Sequence, residues 1–189
     1  MTWHYLYGLE SYCNVQGHQN MKLKSIGIIF KSLNDAGVKY LLAGGLAVVA
    51  HGYVRFTADV DIILGMDEQN LMSAMKVFDA LGYKPRAPVK LNDFVNAEKR
   101  FEWISEKGLT VFSLWNPDEP ATEIDIFVEP PIDFDNAYSA GVICNIANEI
   151  DVKVLSLNDL VFIKRQAGRQ KDLDDIDKLA IINEEKIND

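Results

Sequence analysis

Asp59 and Asp61 stand two residues apart in a stretch that is otherwise apolar from Val60 to Leu64. In a strand, residues two apart point to the same side. Both carboxylates would then leave one face while Val60 and Ile62 leave the other. Upstream, the apolar run from Tyr40 ends in Gly44-Gly45. Two glycines after a strand let the backbone approach a ligand closely and expose amide N–H groups to it. A short helix, Leu46 to His51, would start there, and helix N-termini favour anions such as phosphate. Taken singly, a Gly-Gly pair is most often a turn and Asp-x-Asp a solvated strand end. Taken in this order, they can hold a divalent metal against a triphosphate, because Mg²⁺ in phosphoryl-transfer sites is bound by one or two carboxylates plus the phosphates of the substrate.

The elements that must position these residues can be read along the chain. Leu23, Ile26, Ile29, Phe30 and Leu33 recur at helical spacing, and Gly37 stops that helix. Val38 to Ala43 is the first core strand. Gly52 is a C-cap for the short helix, and His51 in its last turn complements the helix dipole. A helix from about Glu68 to Leu81 presents Leu71, Met75, Phe78 and Leu81 on one stripe. The basic segment Arg86 to Arg100 reads as a connecting loop. Phe101 to Ile104, Leu109 to Leu114 and Glu123 to Val128 read as strands, with turns at Glu106 to Gly108 and Asn116 to Pro120. Asp125 lies between Ile124 and Ile126, where an acid is unfavourable unless paired, hydrogen-bonded or metal-bound. Glu123 shares its face. Val142 to Ile146 and Val152 to Leu155 read as short strands. Ser156, with Asp159 three residues on, forms a near capping box. Gly168 breaks the following helix, and Lys171 to Ile182 starts the last one with Leu173, Ile176, Leu179 and Ala180 inward. The dipole of that helix accounts for Asp172, Asp174 and Asp175 near its start.

A chain of 189 residues suits one domain and can bury a sizeable core. We divide it into a leader without helical or strand period (1–20), a core (21–155) and a C-terminal helical segment (156–189) that completes the cleft. The formal net charge of −9 argues against broad electrostatic binding to nucleic acid. No secretory signal or membrane-spanning run is visible. Cys13 and Cys144 have no metal-type spacing, so a cytoplasmic protein with free thiols is expected.

The order strand, Gly44-Gly45, helix, Asp59-Val60-Asp61 resembles the signature of the nucleotidyltransferase superfamily with the DNA polymerase β-like fold. Arg55-Phe56-Thr57 resembles the Arg-x-Thr lead-in found in several of its branches. The block Arg169-Gln170-Lys171-Asp172-Leu173-Asp174-Asp175, preceded by Lys164, resembles the closing motif of the AbiEii-type toxin or DUF6036-like branch. The resemblance implies an α+β fold with a mixed central sheet, helices packed on it, and C-terminal helices. It implies Asp59, Asp61 and Asp125 as catalytic, metal-binding carboxylates for Mg²⁺ or Mn²⁺. It implies Gly44, Gly45, Arg55, Thr57, Lys164, Arg169 and Lys171 as nucleotide-binding residues. The implied reaction moves an NMP from an NTP to an acceptor hydroxyl on RNA, protein or a small molecule. The enzyme could act as the toxin of a toxin–antitoxin or phage-defence pair, with an antitoxin partner. The alternatives are a small-molecule (antibiotic) nucleotidyltransferase and a nucleotide- or metal-binding module of the same fold without transfer.

Overall fold

The computed structural model describes residues 18–146 and 150–187. The leader expected over 1–20 lies outside them except at its last three residues, and Cys13 lies outside them altogether. The described residues form an α+β fold around one mixed seven-stranded sheet, in the order β3-β4-β5-β2-β1-β7-β6. The strands are β1 (Tyr40–Leu42), β2 (Asp59–Leu64), β3 (Lys84–Pro85), β4 (Val111–Trp115), β5 (Glu123–Phe127), β6 (Val142–Ile146) and β7 (Ile150–Val154). The helices are α1 (His18–Asp35), α2 (Gly44–Ala50), α3 (Glu68–Ala80), α4 (Ala97–Lys107), α5 (Phe134–Ala140), α6 (Leu157–Ala167) and α7 (Gln170–Ile187). Two pairings are parallel, β2 with β5 and β1 with β7; the others are antiparallel.

The core follows from the alternation read in the sequence. Val60, Ile62, Ile124 and Ile126 are fully buried on one face of β2 and β5. α1 packs on β7 and α3, α2 on β2 and α6, and α6 on α7. Helix ends carry the expected signals. The Asp67 side chain accepts from the Asn70 N–H at the start of α3, and Ser156 accepts from the Asp159 N–H at the start of α6. His51 ends α2, and its Nε2 lies 2.8 Å from the Leu155 carbonyl oxygen. No helix among the described residues is long and apolar enough to cross a membrane.

Three local expectations are corrected, and one helix appears where no element was expected. Phe101–Ile104 is not a strand but the middle of α4. Asn96 caps that helix by accepting from the Lys99 N–H, Glu98 sits in its first turn, and Gly108 ends it with φ 61°. Its inward face is so narrow that Trp103 alone is buried while Phe101 is 72% exposed, so apolar content mimicked a strand. The segment Arg86–Arg100 is not one loop. It holds a 3-10 turn, Leu91–Val95, that buries Phe94, and then the start of α4. A short helix, α5, follows the Pro130-Pro131 break, started by Asp133 accepting from the Asn136 N–H. The last correction concerns α7: Leu173 and Ala180 are exposed, and the buried stripe is Asp172, Asp175, Leu179 and Asn183.

Trp103 stacks flat on Phe112, with ring centroids 5.4 Å apart and planes 4° apart. It is the main anchor of α4. Trp103→Ala is expected to cost about 3–5 kcal/mol in chemical denaturation, whereas Phe101→Glu on the opposite face should leave the midpoint within experimental scatter. Equal losses for the two variants would mean that α4 is held by something other than this stack.

Candidate active site

The sheet register places the acids. Asp59 lies opposite Glu123 and Asp61 opposite Asp125 on the parallel strands β2 and β5. Residues directly opposite in neighbouring strands point to the same side. Asp59, Asp61 and Asp125 therefore share one face, opposite the buried Val60–Ile62–Ile124–Ile126 side. On β4, Ser113 is the neighbour of Asp125 and its hydroxyl hydrogen-bonds the Asp125 carboxylate.

The glycine bend is built against this face. The Ala43 N–H donates to the Asp61 main-chain oxygen at 2.9 Å, which fixes the start of the bend to β2. Gly44 has φ 60°, a conformation that side chains rarely adopt. A Cβ at Gly44 would overlap the Asp61 carboxylate and come within 2.7 Å of Asp61 Cβ. A Cβ at Gly45 would overlap the Thr57 hydroxyl and lie 3.1 Å from Arg55 Nη2. The Gly45 N–H donates to the Asp61 carboxylate. Gly44, Gly45, Arg55 and Thr57 are thus one contiguous surface beside Asp61.

Both central carboxyls are pushed above their ordinary pKa. For Asp61 burial is the main cause and the Asp125 charge the next; the Gly45 N–H and the Lys164 charge act the other way. For Asp125 burial again leads, with Asp59 and Glu123 adding to it, while the Ser113 hydroxyl and Arg86 oppose it. Crowded, half-desolvated oxygen donors are what a hard divalent cation stabilises, so the donor chemistry fits Mg²⁺ or Mn²⁺. Among the described residues no group of three or more acids, histidines or cysteines is so placed as to hold a metal ion. Mg²⁺ commonly takes one or two carboxylates and completes its shell with substrate phosphates and water.

Positive charge surrounds this face at two places. Arg86 holds Glu123 through both carboxylate oxygens, Nε to Oε2 at 2.9 Å. Of the basic residues in the segment read as a loop, Arg86 reaches the acids. Lys99 pairs with Asp93 at 2.6 Å, and Arg100 caps the Phe94 and Val95 carbonyls. On the other side are Lys164, Arg55 and Arg169, bound to Asp172 and Asp175 of α7. Lys171 is exposed, and no ion pair ties it to this group. Ser113, Arg86, Asp172 and Asp175 were not singled out as site residues from sequence. Asp172 and Asp175 had a detectable signal: they continue at helical spacing into Leu179 and Asn183, so they belong to the buried stripe rather than to a solvated first turn.

The same fold is found in solved structures. The chain is similar to lincosamide antibiotic adenylyltransferase LnuA with lincomycin bound, at 18% identity and TM-score 0.56, covering 84% of this chain and 96% of that one. It is similar to ANT(2″)-Ia in complex with adenylyl-2″-tobramycin, at 12% identity and TM-score 0.58, covering 89% and 93%. It is also similar to an antigenic nucleotidyltransferase-like protein from Paracoccidioides brasiliensis, at 18% identity and TM-score 0.54, covering 86% and 77%. No curated protein matches it by sequence. The polymerase β-like resemblance read from Gly44-Gly45 and Asp59-Val60-Asp61 is borne out at the level of family, and over residues 22–188 the chain belongs to the nucleotidyltransferases of unknown function, DUF6036.

Proposed function

We propose that this protein transfers a nucleoside monophosphate from an NTP to an acceptor hydroxyl, with Asp59, Asp61 and Asp125 holding divalent metal. One observation carries the reading: the β2–β5 register sets Asp61 beside Asp125 on the face where the Gly44-Gly45 bend abuts Asp61. When bound, Mg²⁺ or Mn²⁺ would neutralise phosphate charge and lower the pKa of the acceptor hydroxyl. Gly44, Gly45 and Thr57 line the bend along which the triphosphate lies. Lys164, Arg55 and Arg169 offset the negative charge that grows on it. Asp125 serves as metal ligand or takes the acceptor proton as the hydroxyl oxygen attacks the α-phosphorus. A new P–O bond forms to the acceptor, the bond to the pyrophosphate oxygen breaks, and pyrophosphate leaves. Lys171 is assigned no step.

LnuA and ANT(2″)-Ia have lincomycin and adenylyl-2″-tobramycin in their structures, which favours a small-molecule hydroxyl as the acceptor here. The toxin reading, with its antitoxin partner, draws no support from these likenesses. Thermal melts with each NTP, with and without Mg²⁺, test the site. Saturating NTP with Mg²⁺ is expected to stabilise the fold by about 2–3 kcal/mol at a hundredfold excess over Kd, and NTP alone by much less. Labelled NTP is then incubated with separated small-molecule, RNA and protein fractions of a lysate. Label in the small-molecule fraction supports the proposal as stated, and label in RNA or protein moves the acceptor. A metal-dependent shift without incorporation leaves a binding module, and no shift with any NTP removes the reading.

A further inference from the structure

Five charged side chains meet where the C-terminal helices cross the glycine bend. Lys164 Nζ donates to Asp172 Oδ1 at 2.9 Å and to Asp175 Oδ2 at 2.8 Å. Arg55 grips both oxygens of Asp175, Nε to Oδ1 at 2.7 Å and Nη2 to Oδ2 at 2.9 Å. Arg169 Nε donates to Asp172 Oδ2 at 2.6 Å. Lys164, Asp172 and Asp175 are only 5%, 1% and 2% exposed. Stability alone is a poor account of such a cluster, since apolar side chains of similar volume often stabilise a fold as well as buried ions do. What ions add is direction. Bidentate and doubly bonded cations are held in one geometry.

The cluster holds three cations and two anions, so positive charge is left over. It borders the acid face: Arg55 Nη2 is 3.1 Å from the Cβ position of Gly45, and the charges of Lys164 and Arg169 both interact with that of Asp61. We propose that Asp172 and Asp175 are positioning residues that hold Lys164, Arg55 and Arg169 at fixed places along the bend, so that a triphosphate meets preset cations. The inference rests on the nucleotide-transfer reading above. It also gives the C-terminal helix α7 a definite task, because Asp175 ties it to Arg55 across 120 residues of chain.

The two acids could act in opposite ways on a bound anion, and the sign of a mutation separates them. An acid that only competes with phosphate weakens anion binding, so its removal tightens it. An acid that positions cations strengthens binding, so its removal loosens it even though the site becomes more positive. The probe is inorganic tripolyphosphate in Mg²⁺ buffer, followed by calorimetry. Asp175→Asn is expected to raise Kd by about tenfold, and Asp172→Asn to raise it by a smaller factor. Leu179→Ala, which loosens the same buried stripe without touching a charge, should lower the melting temperature and leave Kd unchanged. Unchanged or tighter binding by a folded Asn variant overturns the proposal.

Should neither Asn variant fold, the wild-type protein still decides. The ¹⁵N ammonium signal of Lys164, identified by its loss in Lys164→Arg, is expected to persist when tripolyphosphate binds. Its disappearance would mean that phosphate displaces the aspartates, and the proposal fails. Wild type that binds tripolyphosphate and transfers nucleotide, with Asp175→Asn binding equally well, sinks only the positioning role. Wild type that binds no tripolyphosphate sinks the transfer reading and this inference with it.

Discussion

Asp61→Asn is expected to lower nucleotide transfer by at least about a thousandfold and, in the metal-free protein at neutral pH, to raise the melting temperature by a few degrees. The two effects have one cause. Asp61 is pushed above its ordinary pKa, first by burial and then by Asp125. A folded-state pKa above the unfolded one means that the native protein binds the proton more tightly. Its contribution to stability is then fully present below the unfolded carboxylate pKa of about 4. It is lost as pH rises through the higher folded value. Above that range the buried Asp61 carboxyl is a cost to the metal-free fold, and an amide of the same shape removes it. In the proposed reaction the same charge is what a divalent cation needs, so the variant that stabilises the metal-free fold would remove the ligand proposed for that cation. Melts in a chelating buffer at several pH values, beside transfer assays with Mg²⁺, check both halves. A variant with activity within tenfold of wild type would remove Asp61 from the chemistry.

Gly44→Ala is expected to abolish transfer and the metal-dependent NTP stabilisation, and to cost about 1–3 kcal/mol of stability. A methyl group there meets the Asp61 carboxylate and also sits at φ 60°. Either the acid turns away or the bend opens, and both outcomes separate the glycine bend from the Asp61 carboxylate. Gly108→Ala supplies the control. Gly108 has nearly the same φ, 61°, with nothing near its Cβ position, so the variant carries the backbone strain alone. It should lose a comparable part of the stability and keep its transfer activity. Loss of activity in both would place the effect in general destabilisation rather than at the bend.

Much of the site was legible because it is written in local patterns. Alternation in Asp59–Leu64 and Glu123–Phe127 depends only on neighbours in the chain, and so does the glycine pair after an apolar strand. The misreadings arose where local pattern and tertiary environment part. α4 buries little besides Trp103, too little periodicity to announce a helix. Asp172 and Asp175 had an adequate local explanation in the helix dipole, which hid the partners that the fold brings to them. Glu123 shares the face of Asp125 in the strand pattern, and only the fold shows that its carboxylate is taken up by Arg86.

By itself the sequence determined which side chains could leave a strand together, where the chain must turn tightly, and which helices would have an apolar face. Those are properties of short segments, set by backbone geometry and side-chain period. Only the tertiary structure decided that β2 and β5 run parallel with Asp61 against Asp125. It alone decided that the bend closes on Asp61, and that two aspartates of the last helix hold three cations beside it. Strand register and ion partners are chosen by long-range packing among segments far apart in the chain, and a local pattern carries no record of that choice.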